Sequence, residues 1–319
     1  MRVIVTGASG FIGRNVLQRA PRDWDIVAVY HRDADFKAFV EAQGLSHVRP
    51  VRCDLTDEPD VRRLGEIAGR ADAALYLASN GDPTVSAARP RWDLESNTIG
   101  LINFLEHCAP DHLVYMSSGA VYDGLVGPVG PGSALAPCLP YAISKLASEQ
   151  YVRFFAERRR SVGSFINVRF FGAYGPYEPP RKITTRWLRA IAAGEREVVL
   201  RGDGMNLIDF MYVDDAVDGL TALVKARGTT ITVDFASGAP VTVNEVVATM
   251  ARELGADVTV RHEGHTEEYN RFRSVDATMR ERFNLAPATA FAEGVKRLHV
   301  FLQREAGAGS PSSPGSRRG

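Results

Sequence analysis

The chain is poor in cysteine, with three residues, Cys53, Cys108 and Cys138, in 319. Far apart and odd in number, they exclude a disulfide framework and a C-x-x-C metal site, and the simplest expectation is a cytoplasmic protein in a reducing environment. No stretch approaches about 18 consecutive apolar residues, so no transmembrane helix is expected. The amino terminus lacks a basic region, a long apolar run and a small-residue cleavage site, so no leader is expected either. Charge of one sign is not in excess, since 38 basic residues balance 38 acidic ones, and nothing in the total points to nucleic acid or a membrane surface as partner. No metal site is expected: His262 and His265 in "HEGH" have no further ligands at coordinating intervals and read as a surface strand or loop. Internal repeats are absent.

What is present is a 45% hydrophobic chain, enough for one large domain or two modest ones. Short β-branched runs alternate with helix-like segments: "RVIVT" at 2–6, "DIVAVY" at 25–30, "HVRPVRCD" at 47–54, "ADAALYLA" at 71–78, "HLVYMSS" at 112–118 and "SFINVRF" at 164–170. Runs that are apolar throughout suit strands covered on both faces, which predicts an α/β fold with a doubly wound parallel sheet, a Rossmann arrangement. The rhythm breaks after 172. Residues 1–172 read as the sheet domain, completed by a later strand in "ITVDFASG", and 173–304 as a smaller, irregular carboxyl-terminal lobe with helices near 183–193, 213–226, 242–254 and 289–304. Residues 305–319, rich in Gly, Ser and Pro with basic ends, read as a disordered tail.

"VTGASGFIGR" follows the first run and opens the first helix. Gly7, Gly10 and Gly13 there allow a tight turn, close approach of backbone N–H groups to a pyrophosphate, and close helix packing, so Gly7, Gly10, Phe11, Ile12 and Gly13 are candidate dinucleotide contacts. At the end of the second strand an acid takes the adenosine ribose hydroxyls in NAD-binding sites. Here Tyr30 stands in that place and His31 and Arg32 follow. Arg14 and Arg32 are therefore candidates to face a 2′-phosphate, which favours NADP over NAD.

"YAISK" places Tyr141 and Lys145 four apart, on one face of a long helix. A phenol titrates near pH 10 unperturbed, and a neighbouring ammonium is expected to lower that value. Tyr141 then trades a proton with a carbinol or carbonyl oxygen while a nicotinamide trades hydride. Ser117 and Ser118 close the fifth strand at its carboxyl end, where ligands of open α/β sheets bind, and one hydroxyl can hold the same substrate oxygen.

With "TGASGFIG", "CDLTD", "LYLAS", "SNTIG", "SSGAVY", "YAISK", "VRFFGAYGP" and "IDFMYVDDAV" in order, the chain resembles the extended short-chain dehydrogenase/reductases, specifically the NAD-dependent epimerase/dehydratase family that works on nucleotide sugars. The resemblance reaches to about residue 304. It implies Ser118 as the active-site hydroxyl, Tyr141 as the acid-base residue and Lys145 as the group that binds the nicotinamide ribose. It also implies Asp54 and Leu55 beside the adenine, Leu77, Ala78 and Ser96 along the cofactor, Phe171 near the nicotinamide, and the second lobe around the nucleotide part of the substrate. A homodimer through the long helix at 141–160 and a partner helix near 93–107 is implied as well.

Departures from the family pattern narrow the function. Dehydratases of the family carry an Asp-Glu pair after the active-site hydroxyl; here these are Gly119 and Ala120, which disfavours dehydration. The family's Asn after the sixth strand is Gly172, and its diphosphate-binding Arg before Asp209 is Ile208. Candidates to replace that Arg are Arg181, Lys182, Arg186, Arg201, Arg261, Arg271 and Arg273. The expectation from these residues is an NADPH-using ketoreductase of a nucleotide-linked keto-deoxysugar. The alternative is an NAD-dependent nucleotide-sugar epimerase, and a dinucleotide sensor without catalysis ranks third because the Tyr/Lys pair is present.

Overall fold

The computed structural model describes residues 1–265 and 271–308. Seven strands form one sheet: β1 (Arg2–Thr6), β2 (Asp25–Tyr30), β3 (Val48–Arg52), β4 (Ala73–Tyr76), β5 (His112–Ser118), β6 (Ser164–Phe170) and β7 (Ile231–Phe235). Their order across the sheet is 3-2-1-4-5-6-7 and every neighbouring pair is parallel. The fold is thus the expected doubly wound α/β sheet. Side chains alternate between two buried layers: Val3, Val5, Ala28, Leu75, Val114 and Ile166 on one face, Ile4, Val27, Val29, Ala74, Tyr76 and Tyr115 on the other. Both faces are covered, which is why these runs read as apolar throughout rather than alternating.

The strand order reverses between β1 and β4, and the cleft opens there, beyond the carboxyl ends of the strands. β7 joins the sheet from within the carboxyl-terminal segment. Helix Val213–Lys225 packs on the sheet itself, against β4 and β5, with Val217, Leu220 and Leu223 fully buried. The rest of 173–304 is built on helices Ile183–Ala192, Val243–Glu253 and Phe291–Ala308 with pairs of short strands. One pair, Arg271–Ser274 with Val126–Val129, ties this lobe to the segment that follows β5. The last helix continues through Ala308, four residues into the expected tail, and 309–319 lie outside the described residues. No helix of the described residues is long and apolar enough to cross a membrane.

Candidate active site

The glycine loop turns directly from β1 into the first helix, Phe11–Arg19. Gly7 has φ +64°, and a Cβ there would stand 2.9 Å from the Ala78 nitrogen. At Gly13 a Cβ would stand 2.4 Å from the Gly7 carbonyl oxygen. The loop is therefore closed against β4 and the helix at once, as only glycine permits. The helix begins with no side-chain cap and no acid in its first turn, which leaves its amino-terminal N–H groups suited to an anion. These features fit the pyrophosphate of a dinucleotide.

The loop forms one wall of a cleft of about 1040 Å³. Gly7, Gly10, Phe11, Ile12, Gly13, Arg32, Asp54, Leu55, Leu77, Ala78, Ser96, Ser118, Tyr141 and Phe171 all line it. Two expected contacts do not. Lys145 is recessed behind the wall, 2% exposed, with its Nζ donating to the Met116 carbonyl at 2.8 Å. Arg14 is turned away: its NH2 donates to Asp33 Oδ2 at 2.6 Å, its Nε to the Ser9 carbonyl, and its guanidinium lies 4.3 Å from the Phe39 ring centroid. Asp33, not singled out from the sequence, itself lines the cleft. At the same end, burial opposes the charge of Asp54, but hydrogen bonds from Thr56, with His31 and Arg32 nearby, outweigh it and hold the carboxyl below its usual range.

At the other end, Ser118 closes β5 and caps the 3₁₀ turn Gly119–Tyr122, its Oγ accepting from the Ala120 N–H at 3.1 Å. Tyr141 sits in the first turn of helix Pro140–Phe154, with Lys145 one turn on. Lys145 Nζ is 5.9 Å from the Tyr141 ring centroid. The expected lowering of the phenol is not found, because burial acts on both groups. It pushes Tyr141 up, against the pull of the Ser118 hydroxyl, and pushes the Lys145 ammonium down to about 7, against Asp93 and Glu149. A Cβ at Gly119 would stand 3.1 Å from the Phe171 ring, so the cleft is shaped around the missing side chain there.

Of the seven basic candidates for the diphosphate, Arg181 and Lys182 line the cleft together with Ile208. Arg186 and Arg201 line an adjoining cavity of about 490 Å³ that shares Leu207 and Ile208 with it. Arg261 is paired with Glu197 and Glu263 elsewhere. Phe272 faces the cleft, so strand alternation puts Arg271 and Arg273 on the opposite face.

Sequence reasoning missed the buried groups behind the site. Asp93, fully buried, accepts from Asn80, Asn97 and Ser144 and binds the helix before Ser96 to the Tyr141 helix. Glu149 and Arg169 form a buried fork-to-fork pair. A usable signal for Arg169 and for Asp234 was charge inside strands that are otherwise apolar on both faces.

A family profile described as "NAD dependent epimerase/dehydratase family" matches residues 3–233. The chain belongs to that family. Among similar proteins, the UDP-glucose 4-epimerase of Mycolicibacterium smegmatis is 25% identical over 316 residues, 96% of this chain and 99% of that one. The dTDP-D-glucose 4,6-dehydratase of Mus musculus is 26% identical over 236 residues, 71% of this chain and 65% of the relative, so the chain spans less than two thirds of that protein. Among solved structures, UDP-glucose 4-epimerase from Thermotoga maritima with UDP-glucose superposes with a TM-score of 0.86 at 22% identity, covering 96% of this chain and all of that one. MoeE5 in complex with UDP-glucose and NAD does so with 0.84 at 25% identity, over 96% and 100%. As a member of this family the chain is an enzyme that uses a nicotinamide dinucleotide, and its glycine loop and cleft fit that group.

Proposed function

We propose that this family member is an NAD-using epimerase of a nucleoside-diphosphate hexose, acting at C4. The observation that carries the proposal is the composition of the reacting end of the cleft. Ser118 and Tyr141 face one wall with Lys145 behind them, while Gly119 and Ala120 supply no carboxylate for removing water. Such a site is equipped to move one proton on and off a sugar oxygen, and elimination asks for a second acid and base. Near full-length similarity to a UDP-glucose 4-epimerase supports the same reading.

The NADPH-using ketoreductase ranks second. Its main support was a pair of guanidinium groups for a 2′-phosphate, and one of the two, Arg14, is engaged by Asp33. Asp33 also brings a carboxylate to the wall where an NAD ribose is held, a place the residue at the strand end, Tyr30, leaves without one.

When bound, a nicotinamide supplies the hydride acceptor and then the donor. The chain's own residues do the rest. Tyr141 Oη, as phenolate, takes the proton of the sugar hydroxyl as the carbon is oxidised and returns it to the same oxygen as the carbon is reduced from its other face, the charged form of Lys145 would favour that phenolate, and Ser118 Oγ holds the oxygen in line. Arg181, which is held by Asp82, and Lys182 on the cleft wall, with Arg186 and Arg201 on the adjoining cavity, are the cations nearest to where Ile208 replaces the diphosphate-binding Arg.

We also propose a homodimer. Ile143, Tyr151 and Phe154 on helix Pro140–Phe154, and Leu94 and Ile99 on the helical segment packed against it, are 40–46% exposed, apolar surface that a second copy of the chain would cover.

Releasing the dinucleotide from freshly purified protein tests the cofactor half of this reading. Retained NAD is expected; empty protein that binds NADPH and oxidises it stoichiometrically with a keto-sugar would favour the reductase.

A further inference from the structure

A chain of buried polar groups runs behind the reacting end of the cleft. Ser117 Oγ donates to Glu149 Oε1 at 2.5 Å, and Arg169 forks onto both Glu149 oxygens at 3.0 and 2.8 Å. Arg169 NH1 donates to the Tyr122 hydroxyl at 3.0 Å, and that hydroxyl donates to Asp234 Oδ1 at 2.6 Å. Ser274 Oγ then donates to Asp234 Oδ2 at 2.7 Å. Glu149, Arg169, Tyr122 and Asp234 are each at most 5% exposed.

Four of the links belong to elements that carry a group of the site. Glu149 is one turn beyond Lys145, Ser117 precedes Ser118, Tyr122 ends the turn that Ser118 caps, and Ser274 shares a strand with Phe272 on the cleft wall. The rings of Tyr122, Phe171 and Phe272 meet pairwise at 5.8–6.1 Å over that turn. Glu149 and Arg169 already satisfy one another's charge. Asp234 is the additional acid, and both of its oxygens hold hydroxyls that pull in different directions, one toward the Ser118 turn and one toward the outer lobe.

We propose that Asp234 is a positioning residue, whose ionised carboxylate ties the turn behind Ser118 to the Phe272 strand and so seats Ser118 for the reaction. The inference rests on Ser118 and Tyr141 forming the reacting centre. A protonated Asp234 has a hydrogen on one oxygen, so one of the two hydroxyls loses its acceptor and the tie loosens. Burial pushes this carboxyl up to about 6; the hydrogen bonds from Tyr122 and Ser274 and the Arg169 guanidinium oppose the shift, and Asp276, which accepts from the Asp234 N–H, adds to it. The tie therefore loosens as pH falls through about 6. Glu149 faces Arg169 and Lys145 rather than Asp234.

The test compares wild type, Asp234→Asn and Tyr122→Phe from pH 5 to 8.5. With UDP-glucose as substrate, wild-type kcat is expected to fall with one proton near pH 6. Both variants are expected to lose that limb and to run at roughly a tenth of wild-type kcat at pH 8, with KM within about twofold. Hydrogen exchange of the peptide spanning 118–125, read as protection factors without substrate, is expected to make Asp234→Asn at pH 8 match wild type at pH 5. Wild-type kcat, an intact acid limb and unchanged protection in Asp234→Asn would overturn the proposal. A wild type without turnover on any nucleoside-diphosphate hexose overturns the functional reading instead, and the exchange measurement still decides the coupling.

Discussion

Lys145 is held in a place where its charge is costly. Its ammonium titrates at about 7 in the fold against 10.5 in the unfolded chain, so the buried charge carries its full penalty below pH 7, and the penalty fades as pH rises toward 10.5. Lys145→Met is expected to raise stability by something on the order of 3 kcal/mol at pH 7, and by little at pH 10, while abolishing turnover. Thermal unfolding at the two pH values checks it. A variant that is less stable at both would show that the Met116 hydrogen bond outweighs the buried charge. Arg14 makes a second case at this scale. Asp33→Asn removes its partner and frees the guanidinium, and the ratio of NADPH to NADH affinity, followed by cofactor fluorescence, is expected to rise roughly tenfold. The places of Ser118 and Tyr141 on the cleft were legible because short motifs at a strand end and a helix start carry them. Arg14 was misjudged because its partner, its stacking on Phe39 and the loop at Tyr177 come together only in the fold.

Among the elements, the turn between β1 and the first helix carries the most constraint. Gly13→Ala puts a methyl group 2.4 Å from the Gly7 carbonyl and 2.7 Å from Ala8, contacts with backbone that has nowhere to move. The expected result is a loss of about 1–3 kcal/mol and at least tenfold weaker dinucleotide binding in a fluorescence titration; a wild-type titration would contradict the loop geometry. The sheet strands were legible for a plain reason. Burial on both faces makes each a mostly apolar run, and "RVIVT", "DIVAVY", "HLVYMSS" and "SFINVRF" coincide with β1, β2, β5 and β6 end to end. Two of the four short pairs, Ala173–Tyr174 with Met211–Tyr212 and Leu207–Ile208 with Val241–Thr242, are two residues long and too short to carry a period. Arg169 and Asp234 were missed: each is a charge inside a mostly apolar strand, but their link through Tyr122 depends on the pairing of β6 with β7 and on where the turn after β5 lands.

For the whole molecule, the exposed apolar surface on helix Pro140–Phe154 and the helical segment packed against it predicts a dimer. Light scattering is expected to give twice the chain mass for the wild type and the chain mass alone for Tyr151→Glu combined with Phe154→Glu, and a wild-type monomer would remove that surface as an interface. The sheet, the closed glycine loop and the outer lobe together enclose one cleft whose reacting end holds a hydroxyl, a phenol and a recessed lysine, and this is what makes C4 epimerisation the central claim. Its most direct measurement is proton NMR of UDP-glucose incubated with the enzyme in deuterated water. The C4 epimer is expected to appear with no deuterium on the sugar carbons, because the hydride leaves and returns within the site, and Tyr141→Phe is expected to yield none of it. A 4-keto-6-deoxy product carrying solvent deuterium, or an epimer labelled at C4, would contradict it.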